Sequence, residues 1–288
     1  MAKWDRLGTR GNVQDRRGMG RSGAAVGGLG GLGAVVVLLF VFLGGGGGTE
    51  GLEQVMNQLQ ESQAPQQSGP QPVEFQGEDD YEVFASTVLG STDEVWNEIF
   101  TASGLDYVEP TLVLFRGATQ SACGGANSAV GPHYCPTDEA IYLDETFFDE
   151  LTRRFGATGG DVAEAYVIAH EVGHHVQNRI GLMDEVRKAQ QAAGSQEGAN
   201  QLSVSVELQA DCYAGVWAYS IRDAGVFLPG EIEEAIDAAA SVGDDRIQQS
   251  VEGQITPERW THGSSEQRVE WFTRGYETGD PAQCDTFS

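Results

Sequence analysis

The stretch that most constrains this chain is AYVIAHEVGHHVQN, residues 165–178. Val162, Ala165, Tyr166, Ala169, Val172 and Val176 form an apolar stripe at helical spacing, so the segment is predicted as a helix capped at Asp161 and ended by Gly181. Inside it, His170, Glu171 and His174 spell H-E-x-x-H. Side chains four apart on a helix share a face, so both imidazoles can aim a nitrogen at one zinc ion. Glu171 then lies on the flank of that pair, within reach of a water at the metal. Any fold for this chain must bury the helix and bring a third ligand to it.

The best third ligand is Glu207, 33 residues after His174 in VSVELQADCYAG. That segment also has helical spacing. Glu207 and Asp211 fall on one face, so Glu207 can bind one zinc per chain while Asp211 accepts the ring N–H of a ligand histidine. Ala210 and Ala214 are small enough to let this helix pack closely on the first. His175 points about 100° round from His174 and reads as structural. His133 reads as a strand or loop residue, and Tyr142, Tyr213 and Trp217 as core.

Charge limits the partners. The chain has 288 residues and a formal net charge of −26, which argues against nucleic acid, whose phosphates need Lys and Arg. The basic residues cluster early: Lys3, Arg6, Arg10, Arg16, Arg17 and Arg21 precede an uncharged stretch, residues 23–43, that ends in AVVVLLFVFL. As a helix that stretch measures about 30 Å, a hydrocarbon-core thickness. Basic residues before it predict a single-pass membrane protein with a cytoplasmic N-terminus and an extracytoplasmic bulk. The expected organisation is therefore a disordered basic arm (1–22), a transmembrane helix (23–43), a Gln/Pro/Ser-rich flexible linker (44–79) and a folded domain (80–288). Cys123, Cys135, Cys212 and Cys284 all lie in that domain, in an even number that permits disulfides. Cys123 with Cys135 and Cys212 with Cys284 is the preferred pairing among three connectivities.

Within 80–288, residues 81–89 and 92–103 read as two helices, and residues 111–115 (TLVLF) as a strand. Residues 117–131 read as a Gly-rich loop, and 132–135 and 140–143 as short strands. Helices follow to the end of the chain. Strands early and helices late make an α+β domain, mostly helical with a small sheet.

Beyond the pentad, the chain resembles the bacterial neutral zinc metallopeptidase family, within the glutamate-type zincins. The resemblance rests on N-V-x-D-R-R-G (residues 12–18), C-G-x-A, G-P-x-Y-C-P, Y-L-D-x-x-F-F, A-H-E-x-G-H-H-x-Q (169–177), E-L-Q-A-D-C-x-A-G (207–215) and T-H-G-S-x-x-Q-R (261–268). It implies a zincin-like, membrane-anchored zinc peptidase acting on protein or peptide substrates, with Glu171 as general base. The similarity of the last motif to a late T-H-P-x-x-x-x-R element of related membrane metallopeptidases implies His262 as an oxyanion donor, with Arg268 supporting it. The same ligand set also suits a non-catalytic zinc-stabilised binding module, or an amidase acting on cell-wall peptides.

Overall fold

The structure is a computed structural model that describes residues 1–18, 73–74, 79–127 and 131–288. It is an α+β fold: a five-stranded sheet and a small hairpin beside a body of helices. The sheet runs β2 (Val73–Glu74), β1 (Val13–Asp15), β3 (Thr111–Phe115), β7 (Ala140–Asp144) and β6 (His133–Cys135). β1, β3 and β7 are mutually parallel, while the two edge strands are antiparallel to their neighbours. Both faces of the central strands are covered, which is why TLVLF and AIYL are nearly continuous apolar runs. Leu112, Leu114, Ile141 and Leu143 enter the main core with the helices. Val113, Phe115 and Tyr142 face the other way, onto Ala126 and Cys135. Ala126 belongs to a hairpin, β4 (Ala118–Ser121) and β5 (Gly124–Asn127), in the segment expected to be a loop. A Cys123–Cys135 disulfide fastens that hairpin to β6.

Helix α1 (Asp80–Ala102) is one continuous helix rather than two. Asp79 caps it through the Glu82 amide. Gly90, in the gap between the two expected helices, sits where another segment crosses: a Cβ there would lie 2.6 Å from the backbone of Arg10. The crossing segment is the N-terminal arm.

Residues 1–18 of that arm are built into the domain, which corrects the expectation of disorder over those residues. β1 pairs in register with β3, Val13 opposite Leu112. Trp4 packs against Phe84, Trp217 and Phe227, and its indole N–H donates to Asp161 at 2.7 Å. Arg17, nearly buried, pairs with Asp15, Asp79 and Glu145. The expected topology, with the arm cytoplasmic and the domain extracytoplasmic, is overturned, because one sheet cannot be divided across a bilayer. Among the described residues no helix is long and apolar enough to cross a membrane. The expected span at 23–43 and nearly all of the expected linker lie outside the described residues.

The remaining helices are α2 (Phe147–Phe155), α3 (Asp161–Arg179), α4 (Leu182–Ala192), α5 (Gln196–Ile221), α6 (Ile232–Ser241), α7 (Asp244–Val251) and α8 (Ser265–Thr278). α3 carries the H-E-x-x-H motif and is buried along most of its length. α5 starts at a Ser195 cap and α8 at a Ser264–Gln267 capping box. Cys284, in the tail beyond α8, is disulfide-bonded to Cys212 of α5.

Candidate metal centre

Helices α3 and α5 set the site. They meet where Gly173 faces Ala210: a Cβ on Gly173 would sit 3.0 Å from the Ala210 backbone. This contact, one residue from His174 and three from Glu207, puts the two ligand-bearing faces against each other. Ligand atoms of His170, His174 and Glu207 lie within 4.8 Å of one another. The Nε2 atoms of His170 and His174 stand 3.2 and 3.4 Å from the two Glu207 oxygens.

The ring nitrogens facing away from this point are also occupied. Nδ1 of His170 is 2.9 Å from Asp211 Oδ1. Nδ1 of His174 is 2.9 Å from Gln177 Oε1. With both Nδ1 atoms donating outward, Nε2 is the nitrogen of each ring that faces Glu207 and that a metal would take once its proton is displaced. Asp211 is fully buried and heavily bonded. It accepts from Tyr166 Oη at 2.5 Å and from Arg268 Nε and a terminal Arg268 nitrogen at 2.8 and 2.9 Å.

The electrostatics of this protein-only constellation are those of paired charges. Burial disfavours a charged His170, but Asp211 and Glu207 outweigh it and push its pKa up to about 10. Burial likewise opposes ionised Glu207 and Asp211; His174 and His170 hold Glu207 well below the usual carboxylate range, and Arg268 with His170 holds Asp211 below it. A divalent cation among the three ligands would take over the role that the histidine protons play here.

A zinc ion fits these residues by donor chemistry: two imidazole nitrogens and a carboxylate oxygen converge, the three-ligand set of sites that keep a fourth position for water. Glu171 supplies a further observation. Its Oε2 is buried with no hydrogen-bond partner among the described residues, and such an atom is costly unless a bound molecule satisfies it.

The structure places the other expected residues as follows. His262 has a 44% exposed side chain, with Nδ1 3.2 Å from Asp244 Oδ1. Asp244 Oδ2 gathers the backbone N–H groups of Thr261, His262 and Gly263 at 2.7, 2.6 and 3.1 Å, fixing the turn that carries His262. Burial opposes a charged His262, but Asp244 and then Glu207 raise its pKa, so the ring feels the candidate metal ligand. Arg268 makes its side-chain contacts to Asp211, Tyr166, the Val242 carbonyl and, at 3.4 Å, His170 Nδ1; His262 is held instead by Asp244. His175 is turned away, bonded to Tyr134 Oη and the Val108 carbonyl. His133 stacks on Tyr142 at a strand edge.

Sequence reasoning missed Tyr166, Gln177, Gln209 and Asp244. Gln177 had a signal, lying three residues after His174 on the same helical face. Asp244 had none, because its partners are 17 to 19 residues away in a turn.

Fold and site together define a class: an α+β protein whose buried central helix offers two histidines, joined by a glutamate from a neighbouring helix, to one metal ion. The chain matches the family described as "Putative neutral zinc metallopeptidase" over residues 2–287, and it belongs to that family. It is 43% identical over 281 residues to the uncharacterized protein YpfJ of Escherichia coli strain K12, covering 96% of this chain and 95% of that one. It is 49% identical over 208 residues to the uncharacterized protein Rv2575 of Mycobacterium tuberculosis strain H37Rv, covering 69% and 68%. No solved structure matches the chain.

Proposed function

We propose that this chain is a zinc-dependent endopeptidase with a zincin-like catalytic domain, hydrolysing peptide bonds of protein or peptide substrates. The observation that carries the reading is the unpartnered, buried Glu171 carboxylate oxygen beside three converging ligands. A site that only held a metal would have no use for that carboxylate.

His170, His174 and Glu207 hold the zinc, which when bound supplies Lewis acidity to activate water and polarise the scissile carbonyl. Glu171 takes a proton from the attacking water on its carboxylate and passes it to the leaving amine nitrogen. Asp211, fixed by Arg268 and Tyr166, keeps His170 protonated at Nδ1 and its Nε2 directed inward. His262, held at Nδ1 by Asp244, offers its other ring nitrogen as a donor to the developing oxyanion.

The test is the purified full chain, loaded with zinc and given unfolded protein substrates. Wild type should cleave them, and Glu171→Gln should bind zinc equally but lose activity by roughly 10²-fold or more. If wild type binds zinc and neither protein cleaves, the endopeptidase reading fails.

A further inference from the structure

His170 is oriented by a carboxylate, Asp211, that sequence spacing alone picks out. Among the described residues, no carboxylate meets the outer nitrogen of His174. Its Nδ1 meets the side-chain amide of Gln177, and that amide begins a buried chain of hydrogen bonds. Gln177 Nε2 donates to the Val206 carbonyl at 2.8 Å and to Gln209 Oε1 at 3.0 Å. Gln209 Nε2 donates to the Cys284 carbonyl at 3.0 Å. Gln177 is fully buried and Gln209 nearly so.

The direction of this chain is not free. An amide can point either end at a neighbour, but a backbone carbonyl only accepts. The Val206 carbonyl therefore requires the NH₂ end of Gln177, which leaves its oxygen facing His174. The Cys284 carbonyl requires the NH₂ end of Gln209, which leaves that oxygen facing Gln177. Flipping either amide would set an oxygen against a carbonyl oxygen and strand a buried donor, at a cost of about 1–3 kcal/mol per unsatisfied group. With its oxygen presented, Gln177 can only accept from His174, so Nδ1 carries a proton and Nε2 is the nitrogen left for the metal. The Cys212–Cys284 disulfide fixes the far carbonyl to the helix that bears Glu207.

We propose that Gln177 and Gln209 are positioning residues: a polarity-locked amide relay that sets the tautomer and orientation of His174 and thereby tightens the metal site. The relay is neutral, so it adds no negative charge to that supplied by Glu207 and the paired Asp211. The inference rests on the reading of His170, His174 and Glu207 as zinc ligands, and the test separates the two.

Zinc dissociation constants of the full chain are measured by chelator competition for wild type, His174→Ala, Gln177→Leu, Gln177→Glu, Gln209→Leu and Ser91→Ala. The last removes a buried hydrogen bond to Trp217 outside this network and controls for general loosening. Unfolding midpoints of the metal-free proteins are recorded alongside. Wild type should bind one zinc that His174→Ala loses; failure here sinks the metal-site reading itself. Given that binding, Gln177→Leu should weaken zinc about 10–100-fold, the range for lost outer partners of ligand histidines. Gln209→Leu should weaken it less. Gln177→Glu retains an acceptor for Nδ1 and should stay within a few-fold of wild type, even where its metal-free midpoint falls as far as that of Gln177→Leu. The relay is overturned if Gln177→Leu binds zinc as tightly as wild type, if Gln177→Glu loses as much as Gln177→Leu, or if Ser91→Ala weakens zinc equally.

Discussion

Asp211 and Arg268 are both almost completely buried, and the double-mutant cycle between them is the sharpest test of the site's energetics. Arg268 reaches both Asp211 oxygens, at 2.8 and 2.9 Å. Removing Asp211 leaves Arg268 buried and unpaired, and removing Arg268 leaves Asp211 with His170 as its remaining counter-charge; breaking such a buried pair costs about 3–5 kcal/mol. Asp211→Leu and Arg268→Met should each lower the unfolding free energy of the metal-free chain by that amount. The double variant removes both charges together. What remains is the Tyr166 hydroxyl and His170 Nδ1 without their acceptor, so its loss should be roughly 1–3 kcal/mol, less than either single change. The interaction energy is then several kcal/mol, far outside the additivity of independent sites. Urea unfolding in the presence of a chelator measures it without the added stability that bound metal confers. Zinc affinity should not follow stability. The double variant should bind zinc about 10–100-fold more weakly than wild type even where its fold is restored, because His170 has lost the group that orients it. If the double variant loses the sum of the two single losses, Asp211 and Arg268 act independently and the account of this site is wrong.

Three further outcomes follow from structure outside the metal site. Trp4→Ala should destabilise the chain by roughly 2–4 kcal/mol, somewhat under the cost of deleting a fully buried aromatic, whereas exposed Lys3→Ala should leave the urea midpoint unchanged. Opening the Cys212–Cys284 disulfide, which spans 72 residues, should cost about 4 kcal/mol, read by comparing oxidised chain with Cys212→Ser/Cys284→Ser. Asp93 is buried, and burial together with nearby Glu109 pushes its pKa up to about 8. The folded chain therefore binds a proton there that the unfolded chain releases above about pH 4, and this contribution fades as pH rises through 8. Asp93→Asn should accordingly gain stability relative to wild type between pH 5 and pH 8; a constant difference across that range would refute the assignment.

The ligand-bearing parts of the site were legible because they lie on long helices, where spacing converts directly into shared faces. His170 with His174 and Glu207 with Asp211 are both four-residue pairs, and the structure brings the two faces together. The amide relay was harder to read, since Gln209 and Cys284 meet only through the tail's return to α5. The arm was illegible for a different reason. Val13–Asp15 is too short to show alternation, and the strand it joins lies about a hundred residues on. A hydropathy profile sees only a basic segment before an apolar one, and that pattern suggested a membrane topology the sheet rules out. The gap expected between helices 81–89 and 92–103 misled in the same way: Gly90, within it, marks where the arm crosses an unbroken helix.

The arm's place in the sheet has a consequence for how the chain is made. Residues 1–17 leave the ribosome first, yet β1 has only the two residues of β2 beside it until β3 has been synthesised, and Trp4 has no seat until α1, Trp217 and Phe227 exist. The domain therefore closes from both ends of the sequence at once, around contacts of very long range, a topology that favours slow folding. Trp4 waits longest, because Trp217 and Phe227 lie in the last third of the sequence. A fragment trimmed to begin at residue 80 would lack a strand inside the sheet, and its failure to fold would say nothing about the candidate metal site.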